Sequence, residues 1–261
     1  MSHYLLPFII ALTLMTRLPI YAFLPKFVQK VSWTENHYGL SVLWYPLVGV
    51  VLAVFISVVL VLLPNMPELV TASIAVTLLA VLTGGLHLDG LADAIDAGCA
   101  AHGQPLVDRK EKILRVLNEP TAGPMAIVAL VLVLLLKIVL LSHISMNILW
   151  VLVVTLSVSR AMALLLLVTT PYIGEQGLGS ALSTHSQAHQ IYTVLGSLLL
   201  LLFIFLPIMA AFWILICSLS IVFFWRQFWM KSMGGMVGDC IGAVIELGEV
   251  GVLFILCLTT L

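Results

Sequence analysis

Long apolar stretches dominate this sequence, and they exclude a water-soluble fold. A helix that spans a bilayer needs about 20 mostly apolar residues. Hydrophobic residues make up 62% of the chain and charged residues only 9%, whereas a soluble domain carries roughly 25% charged residues. The candidate spans are 4–25, 40–63, 68–88, 123–142, 148–170, 190–207, 209–229 and 240–261. The sequence therefore predicts an all-α integral membrane protein with about seven or eight transmembrane helices.

Two regions leave the number of spans open. The first candidate contains Arg17 and Pro19, which favour a broken or interfacial segment over a straight span. Segments 190–207 and 209–229 are two spans if the chain turns near Pro207, and one long bent helix if it does not.

Positive charge lies on one side of the predicted topology. With eight spans, segments 26–39, 89–122, 171–189 and 230–239 share one side of the membrane. These segments contain Lys26, Lys30, Arg109, Lys110, Lys112, Arg115 and Lys231, and the loops on the other side contain no Lys or Arg. Because Lys and Arg accumulate in cytoplasmic loops, this side is predicted to be cytoplasmic. Two acidic segments, described next, are predicted to lie at helix ends on this side.

Three aspartates follow the third apolar stretch with no Lys or Arg among them. In GGLHLDGLADAIDA (84–97), Asp89, Asp93 and Asp96 are spaced at i, i+4 and i+7, which places them on one face of a helix. Asp89 and Asp96 would lie about 10 Å apart, too far to share one small cation, but Asp93 could bridge two ions. The pattern predicts a metal site, and the alternative is a solvated acidic loop. His87 is either a partner of the metal ligands or an acid–base group, and the alternative is a capping or interfacial histidine.

A second acidic segment, GGMVGDCIGAVIELGE (234–249), lies on the same predicted side. Asp239 and Glu246 are seven residues apart and share a helix face. Magnesium is usually held by one or two carboxylates together with substrate phosphates. The predicted Mg²⁺ ligands are Asp89, Asp93, Asp96, Asp239 and Glu246. Glu246 and Glu249 lie inside an apolar span, where an ionisable residue is a functional candidate; the alternative is a hydrogen bond between buried helices.

Basic residues that could bind a phosphate group lie near both acidic segments. Arg17 and Arg160 are identified as the arginines embedded in spans, and Arg160 is interpreted as facing an acidic, phosphate-binding interior. Arg109 and Arg115 lie on a predicted amphipathic surface helix, where they either clamp a phosphate or anchor the helix. Lys137 is predicted to snorkel outward.

Together and in chain order, these segments resemble the cobalamin synthase family over nearly the whole chain. The two acidic segments and DRKEKIL (108–114) carry the resemblance, and TRLP (16–19), Ser159-Arg160 and EQGLG (175–179) add to it. The resemblance implies an adenosylcobinamide-GDP ribazoletransferase, which joins adenosylcobinamide-GDP to α-ribazole or its 5′-phosphate and releases GMP, with magnesium. It also implies a place in the bacterial inner membrane.

The resemblance implies roles for particular residues. It implies that Asp89, Asp93, Asp96 and Asp239 belong to the active site, with His87 and Glu246 close by. Together with the residue patterns above, the predicted catalytic residues are Asp89, Asp93, Asp96 and His87. The predicted substrate-binding residues are Arg17, Arg109, Arg115, Arg160 and Lys231. Many family members carry Asp-Ser-Arg, an apolar residue and Gly after the amphipathic helix, whereas this sequence has EPTAG at 119–123. Arg115, one turn earlier, is the expected substitute for the missing arginine.

The expected partners are the two substrates and the lipid bilayer. The net charge of −1 gives no support for binding a nucleic acid, and association into a homo-oligomer is left open. Residues 1–261 are expected to form a single transmembrane catalytic domain, since no polar segment is long enough for a second core.

Two other functions are considered. A CDP-alcohol phosphotransferase requires an Ala-Arg pair shortly after Asp-Gly, but Leu91-Ala92-Asp93-Ala94 stands here. A cation-coupled transporter would place the acids near the membrane midplane beside broken helices, whereas these acids are predicted at cytoplasmic helix ends.

Overall fold

The computed structural model describes residues 2–23, 33–63, 65–103, 105–119, 121–174 and 187–260. In these ranges the regular secondary structure is helical, apart from one isolated bridge between Tyr172 and Met236. The helices are α1 (Ser2–Met15), α2 (Ile20–Phe23), α3 (Glu35–Ser41), α4 (Tyr45–Val61), α5 (Glu68–Thr83), α6 (Leu86–Ala101), α7 (Leu106–Leu117), α8 (Pro124–His143), α9 (Ile148–Thr169), α10 (Ala188–Phe205), α11 (Ile208–Met233) and α12 (Gly238–Thr260). The predicted all-α class is confirmed.

Six segments of the described chain are long and apolar enough to cross a membrane. They are Glu35–Val61, which joins α3 to α4, and the helices α8, α9, α10, α11 and α12. Helices α5 and α6 pass the same test only as a pair bent by 87°, which gives up to seven spans. The first candidate span, 4–25, is not a full crossing within the described residues, because its apolar helix, Leu5–Met15, is too short; this agrees with the broken or interfacial segment that Arg17 and Pro19 favoured.

The chain turns sharply at two consecutive glycines between α5 and α6. The prediction of one continuous span over 68–88 is wrong, since α5 ends at Thr83 and α6 begins at Leu86. Gly84 and Gly85 have φ angles of 62° and 70°, a left-handed conformation that glycine adopts without the penalty of a Cβ atom. The acidic motif therefore lies on a separate helix at nearly a right angle to α5.

The region 190–229 forms two helices. Helix α10 ends at Phe205 and α11 begins at Ile208, with Pro207 in extended backbone between them. Proline lacks the amide hydrogen that a continuous helix would need at this point. Of the two alternatives left open for 190–229, the structure therefore shows two helices with a turn near Pro207.

Helix α9 forms the centre of the bundle and holds α12 in place. It packs against both α4 and α12. A Cβ atom at Gly49 would lie 2.4 Å from the carbonyl oxygen of Leu156, and one at Gly248 would lie 3.3 Å from the Cα of Ser159. Small residues at such contacts let membrane helices approach closely. Because α12 also packs against α6, the bundle fixes the position of one acidic motif relative to the other.

Candidate functional site

The two acidic motifs meet where α6 crosses α12. A Cβ atom at Gly90 would lie 3.0 Å from the carbonyl oxygen of Asp239 and 3.3 Å from the Cα of Gly242. A Cβ atom at Gly242 would in turn lie 3.3 Å from the Cα of His87. The helices therefore touch backbone to backbone, and the glycines of the two motifs allow this contact.

The crossing concentrates negative charge. Asp89 is exposed, while Asp93 and Asp239 are half-buried. The carboxylate of Asp93 interacts electrostatically with those of Asp89, Asp96 and Asp239. Carboxylates so close in a partly desolvated region repel one another unless a cation intervenes. The crossing is therefore a candidate site for a cation and for a substrate that brings cations with it.

Asp96, the last of the three aspartates on one face of α6, caps α8. Its carboxylate accepts hydrogen bonds from the backbone amides of Gly123 and of Ala126, the latter at 3.0 Å. A Cβ atom at Gly123 would lie 2.8 Å from this carboxylate, so a larger residue there would displace the carboxylate. These amides belong to the N-cap residue and the first turn of α8, where amides have no partner within the helix. The structure thus gives Asp96 a capping role beside its predicted catalytic and metal-binding roles.

Asp96→Ala is expected to destabilise the protein by about 1 kcal/mol, the usual cost of losing a helix cap. Asp96→Asn keeps an acceptor oxygen and is expected to lose less. Thermal unfolding in detergent compares the two variants, and equal stability of wild type and Asp96→Ala would contradict the capping role.

The donor set at the crossing suits a hard cation. Within the described residues, no group of three or more His, Cys, Asp or Glu side chains is arranged to hold a metal ion. Asp89, Asp93 and Asp239 nevertheless offer only carboxylate oxygens. Mg²⁺ prefers such ligands and commonly takes one or two from the protein and the rest from phosphates and water. The residues present therefore fit a magnesium ion that a phosphorylated substrate helps to hold.

A cavity of about 410 Å³ opens beside the crossing. Its polar lining residues include Thr16, Arg17, Tyr45, Thr83, His87, Tyr172 and Asp239. Three larger cavities, of about 470, 530 and 1010 Å³, have no Asp, Glu, Lys or Arg among the described residues that line them. Among these four, the cavity beside the crossing is the one lined by charged side chains, which could bind and transform a charged substrate.

Arg17 brings positive charge to this cavity. Its backbone amide donates to the carbonyl oxygen of Leu82 at 2.7 Å, and its side chain lies across Gly84, where a Cβ atom would be 2.3 Å from the Arg17 Cγ. Arg17 as a whole is exposed. The structure thus brings Arg17, predicted to bind substrate, to the same cavity as Asp239.

Tyr172 is a cavity residue that the sequence did not single out. The amide of Ile173 donates to the Met236 carbonyl and the amide of Met236 donates to the Pro171 carbonyl, both at 2.9 Å. This pairing holds Tyr172 in the cavity lining. Burial, and then the charge of Asp239, raise the pKa of the Tyr172 phenol above its ordinary value, so it stays a hydrogen-bond donor. A single tyrosine in a polar loop has no spacing pattern that would reveal this role.

His87 lies between the cavity and a buried ionic network. It is 3% exposed and lines the cavity. Its Nδ1 has no hydrogen-bond partner within the described residues. It interacts electrostatically with Arg160, Glu249 and Lys137. The capping alternative for His87 finds no support, because Gly85 precedes α6 as its cap residue.

The network itself corrects three expectations. Lys137, predicted to snorkel outward, is 3% exposed, and its Nζ lies 2.5 Å from both Glu246 Oε2 and Glu249 Oε2. Arg160, predicted to face an acidic, phosphate-binding interior, does face an acidic one, but it is fully buried and pairs with Glu249 and with the hydroxyl of Ser159 instead of lining the cavity. Glu246, a predicted Mg²⁺ ligand, is paired with Lys137 instead of being placed among the aspartates. The physical reason is that buried charges in an apolar bundle are stable only when they are paired.

The other predicted substrate-binding residues lie away from the cavity. Arg115 is exposed and its Nε lies 3.7 Å from Glu119, so it does not stand in the cavity as a substitute for the missing arginine. Arg109 is half-buried on α7, and Lys231 is exposed in the last turn of α11. Neither is among the cavity lining residues. Lys26, Lys30 and the EQGLG segment (175–179) lie outside the described residues.

Arg226 is a further arginine in a predicted span, and the identification of Arg17 and Arg160 as the embedded arginines overlooked it. Its Nε donates to the carbonyl oxygen of Thr169 at 2.8 Å. This carbonyl belongs to the last turn of α9, where such groups lack partners within the helix. Arg226 thereby fixes the start of the segment that carries Tyr172.

The fold and the site define a multi-pass helical membrane protein with a carboxylate-rich site at a helix crossing. The family model described as cobalamin-5-phosphate synthase matches residues 7–257, so the chain belongs to this family. The resemblance drawn from the sequence is confirmed, and with it the expectation of an enzyme of the transferase class.

Curated relatives match over nearly their full length. A protein named adenosylcobinamide-GDP ribazoletransferase from Pseudomonas fluorescens is 38% identical over 251 residues, which is 95% of this chain and 98% of the relative. A protein of the same name from Acinetobacter baumannii is 33% identical over 256 residues, or 95% of each chain. No solved structure matches the chain.

Proposed function

We propose that this protein joins adenosylcobinamide-GDP to α-ribazole or α-ribazole 5′-phosphate and releases GMP. The observation that carries the proposal is the convergence of Asp89, Asp93 and Asp239 beside a cavity lined by Arg17. The relatives that share almost the whole chain bear the name of this activity.

The reaction balances as a transfer at phosphorus. The ribose hydroxyl oxygen of ribazole forms a bond to the phosphorus that remains with the cobinamide. The bond from that phosphorus to the bridging oxygen breaks, and GMP leaves with the oxygen and its electron pair. The hydroxyl proton passes to a general base, and the carboxylate of Asp89, Asp93 or Asp239 suits this role.

The proposed role of each residue follows from its charge. Asp89, Asp93 and Asp239 would hold magnesium, which when bound neutralises phosphate charge during the transfer. Arg17 is placed to contact a phosphate oxygen from the cavity side, and Tyr172 offers a neutral hydroxyl donor next to Asp239. Since phosphoryl transfer depends mainly on positioning and charge stabilisation, no Ser or Cys nucleophile is required.

The site is proposed to face the cytoplasm of a bacterial inner membrane. If the bent pair α5–α6 crosses as one span and α1 does not cross, seven crossings leave the Lys- and Arg-bearing segments on one side, which the positive-inside rule makes cytoplasmic. A Met66→Cys variant lies on the opposite side and an Asn118→Cys variant on the same side.

In a background without other cysteines, an impermeant thiol reagent added to intact cells is expected to label Met66→Cys and to spare Asn118→Cys. The reverse pattern would place the site outside the cytoplasm.

The function is tested with purified protein in liposomes. Release of GMP from adenosylcobinamide-GDP is expected only when ribazole is present, with one corrinoid product formed per GMP. GMP release without ribazole dependence, or ion flux without GMP release, would contradict the proposal, and ion flux would favour the transporter alternative.

A further inference from the structure

The buried ionic network is a cluster of four ionisable side chains from three helices. Lys137 comes from α8, Arg160 from α9, and Glu246 and Glu249 from α12. Their side chains are 3%, 0%, 5% and 1% exposed, respectively. Lys137 bridges the two glutamates, each at 2.5 Å, and Arg160 pairs with the other oxygen of Glu249.

The formal charges in this cluster cancel, with two cations against two carboxylates. Charge balance matters here because a buried ion that loses its partner is strongly destabilising, whereas removal of a complete pair is often tolerated. Lys137 is therefore held inward by the glutamates, although its long stem would otherwise let the ammonium reach the membrane surface.

The cluster is linked to the helix crossing along α12. Glu246 lies two turns from Asp239 on the same helix face, about 10 Å along the axis. Gly242 lies between them and touches His87 of α6. His87 in turn interacts electrostatically with Arg160, Glu249 and Lys137. Rotation or sliding of α12 would therefore break the ion pairs and move Asp239 relative to α6 together.

We infer that Lys137, Arg160, Glu246 and Glu249 form an ionic clasp, and that Lys137 and Glu246 are positioning residues that hold Asp239 against the aspartates of α6. This role replaces metal binding for Glu246. Its effect on turnover rests on the proposed function, but its effect on stability does not.

The test removes the charges singly and as a pair. Lys137→Met and Glu246→Gln each leave one uncompensated charge, while the double variant leaves the neutral pair of Arg160 and Glu249. Each single variant is expected to lower the melting temperature and to reduce kcat about tenfold, with the KM of both substrates little changed. The double variant is expected to recover most of both losses. The exposed α7 residues Lys110 and Glu111 provide matched controls as Lys110→Met and Glu111→Gln, which are expected to behave like wild type.

Each outcome decides the inference. If the single variants yield no folded protein and the double variant does, the recovery of monodisperse protein supports the clasp. If the double variant lowers the melting temperature by the sum of the two single-variant losses, the clasp is overturned. Recovery of stability without recovery of kcat would overturn the positioning role, and so would a raised Mg²⁺ requirement confined to variants of Glu246. The melting temperatures are measured without substrate, so failure of the proposed function in wild type leaves this comparison intact.

Discussion

Asp93→Asn and Asp239→Asn are each expected to reduce ribazole-dependent GMP release by at least about 100-fold, the usual scale for loss of a group acting in proton transfer or charge stabilisation. Asparagine has nearly the same shape as aspartate, so folding should survive. Asp93 interacts electrostatically with three other carboxylates, and removal of one negative charge from such a group relieves repulsion. Thermal stability is therefore expected to stay the same or rise while turnover falls.

The matched control is Asp108→Asn, an identical change at an exposed position of α7. It is expected to leave turnover near the wild-type value. Near-normal GMP release by Asp93→Asn or Asp239→Asn, at saturating substrate and magnesium, would show that the helix crossing is not the reaction site.

Gly90→Val is expected to reduce turnover about 100-fold by forcing α6 and α12 apart, since a displacement of about 1 Å can cost that much in rate. A Cβ atom at this position would meet the carbonyl oxygen of Asp239 at 3.0 Å and its Cα at 3.2 Å. These are backbone atoms, which cannot turn aside as a side chain can. The overpacking is also expected to destabilise the protein by about 1–3 kcal/mol, and Gly90→Ala should show a smaller effect in the same direction.

Gly196→Val in α10 is the control for this substitution, because nothing lies within 4 Å of a Cβ atom there. Kinetic assay and thermal unfolding of both valine variants make the comparison. If Gly90→Val were as active as Gly196→Val, close contact between the two acidic motifs would not be needed for turnover.

The acidic motifs were predictable because their chemistry departs from their surroundings. Aspartates such as Asp89 and Asp93 at helical spacing stand out in a chain with 9% charged residues. The turn near Pro207 was one of two alternatives that the sequence left open, because a proline in a helix interior bends or breaks the helix. Local rules were sufficient for the aspartates, but at Pro207 they only narrowed the choice.

The bend between α5 and α6 was missed because an apolar sequence does not show where a helix changes direction. Gly84 and Gly85 follow 16 helical residues, and glycine inside a membrane helix is common enough that two in a row do not require a break. Only the φ angles of both residues reveal the turn of 87°.

The partners of buried charges were missed because they are distant in sequence. Lys137 and Glu246 are separated by 109 residues, so no spacing rule connects them. Considered alone, Lys137 is most simply explained by snorkelling, and Glu246 by metal binding. Packing of α8 against α12 supplies each with the other. The same holds for Arg226, whose partner carbonyl at Thr169 is 57 residues away.

Magnesium-dependent binding of adenosylcobinamide-GDP is the most direct test that the helix crossing binds the substrate pyrophosphate. The pyrophosphate brings about two negative charges toward Asp89, Asp93 and Asp239, and like charges at close range in a poorly solvated site repel strongly unless cations intervene. Arg17 offsets only part of this repulsion. Calorimetry on the purified protein, with and without a chelator, is expected to show that chelation weakens binding of adenosylcobinamide-GDP at least tenfold while changing the affinity for unphosphorylated ribazole little. Unchanged affinity for adenosylcobinamide-GDP, or an equal loss for both substrates, would contradict a metal-assisted pyrophosphate site at this crossing.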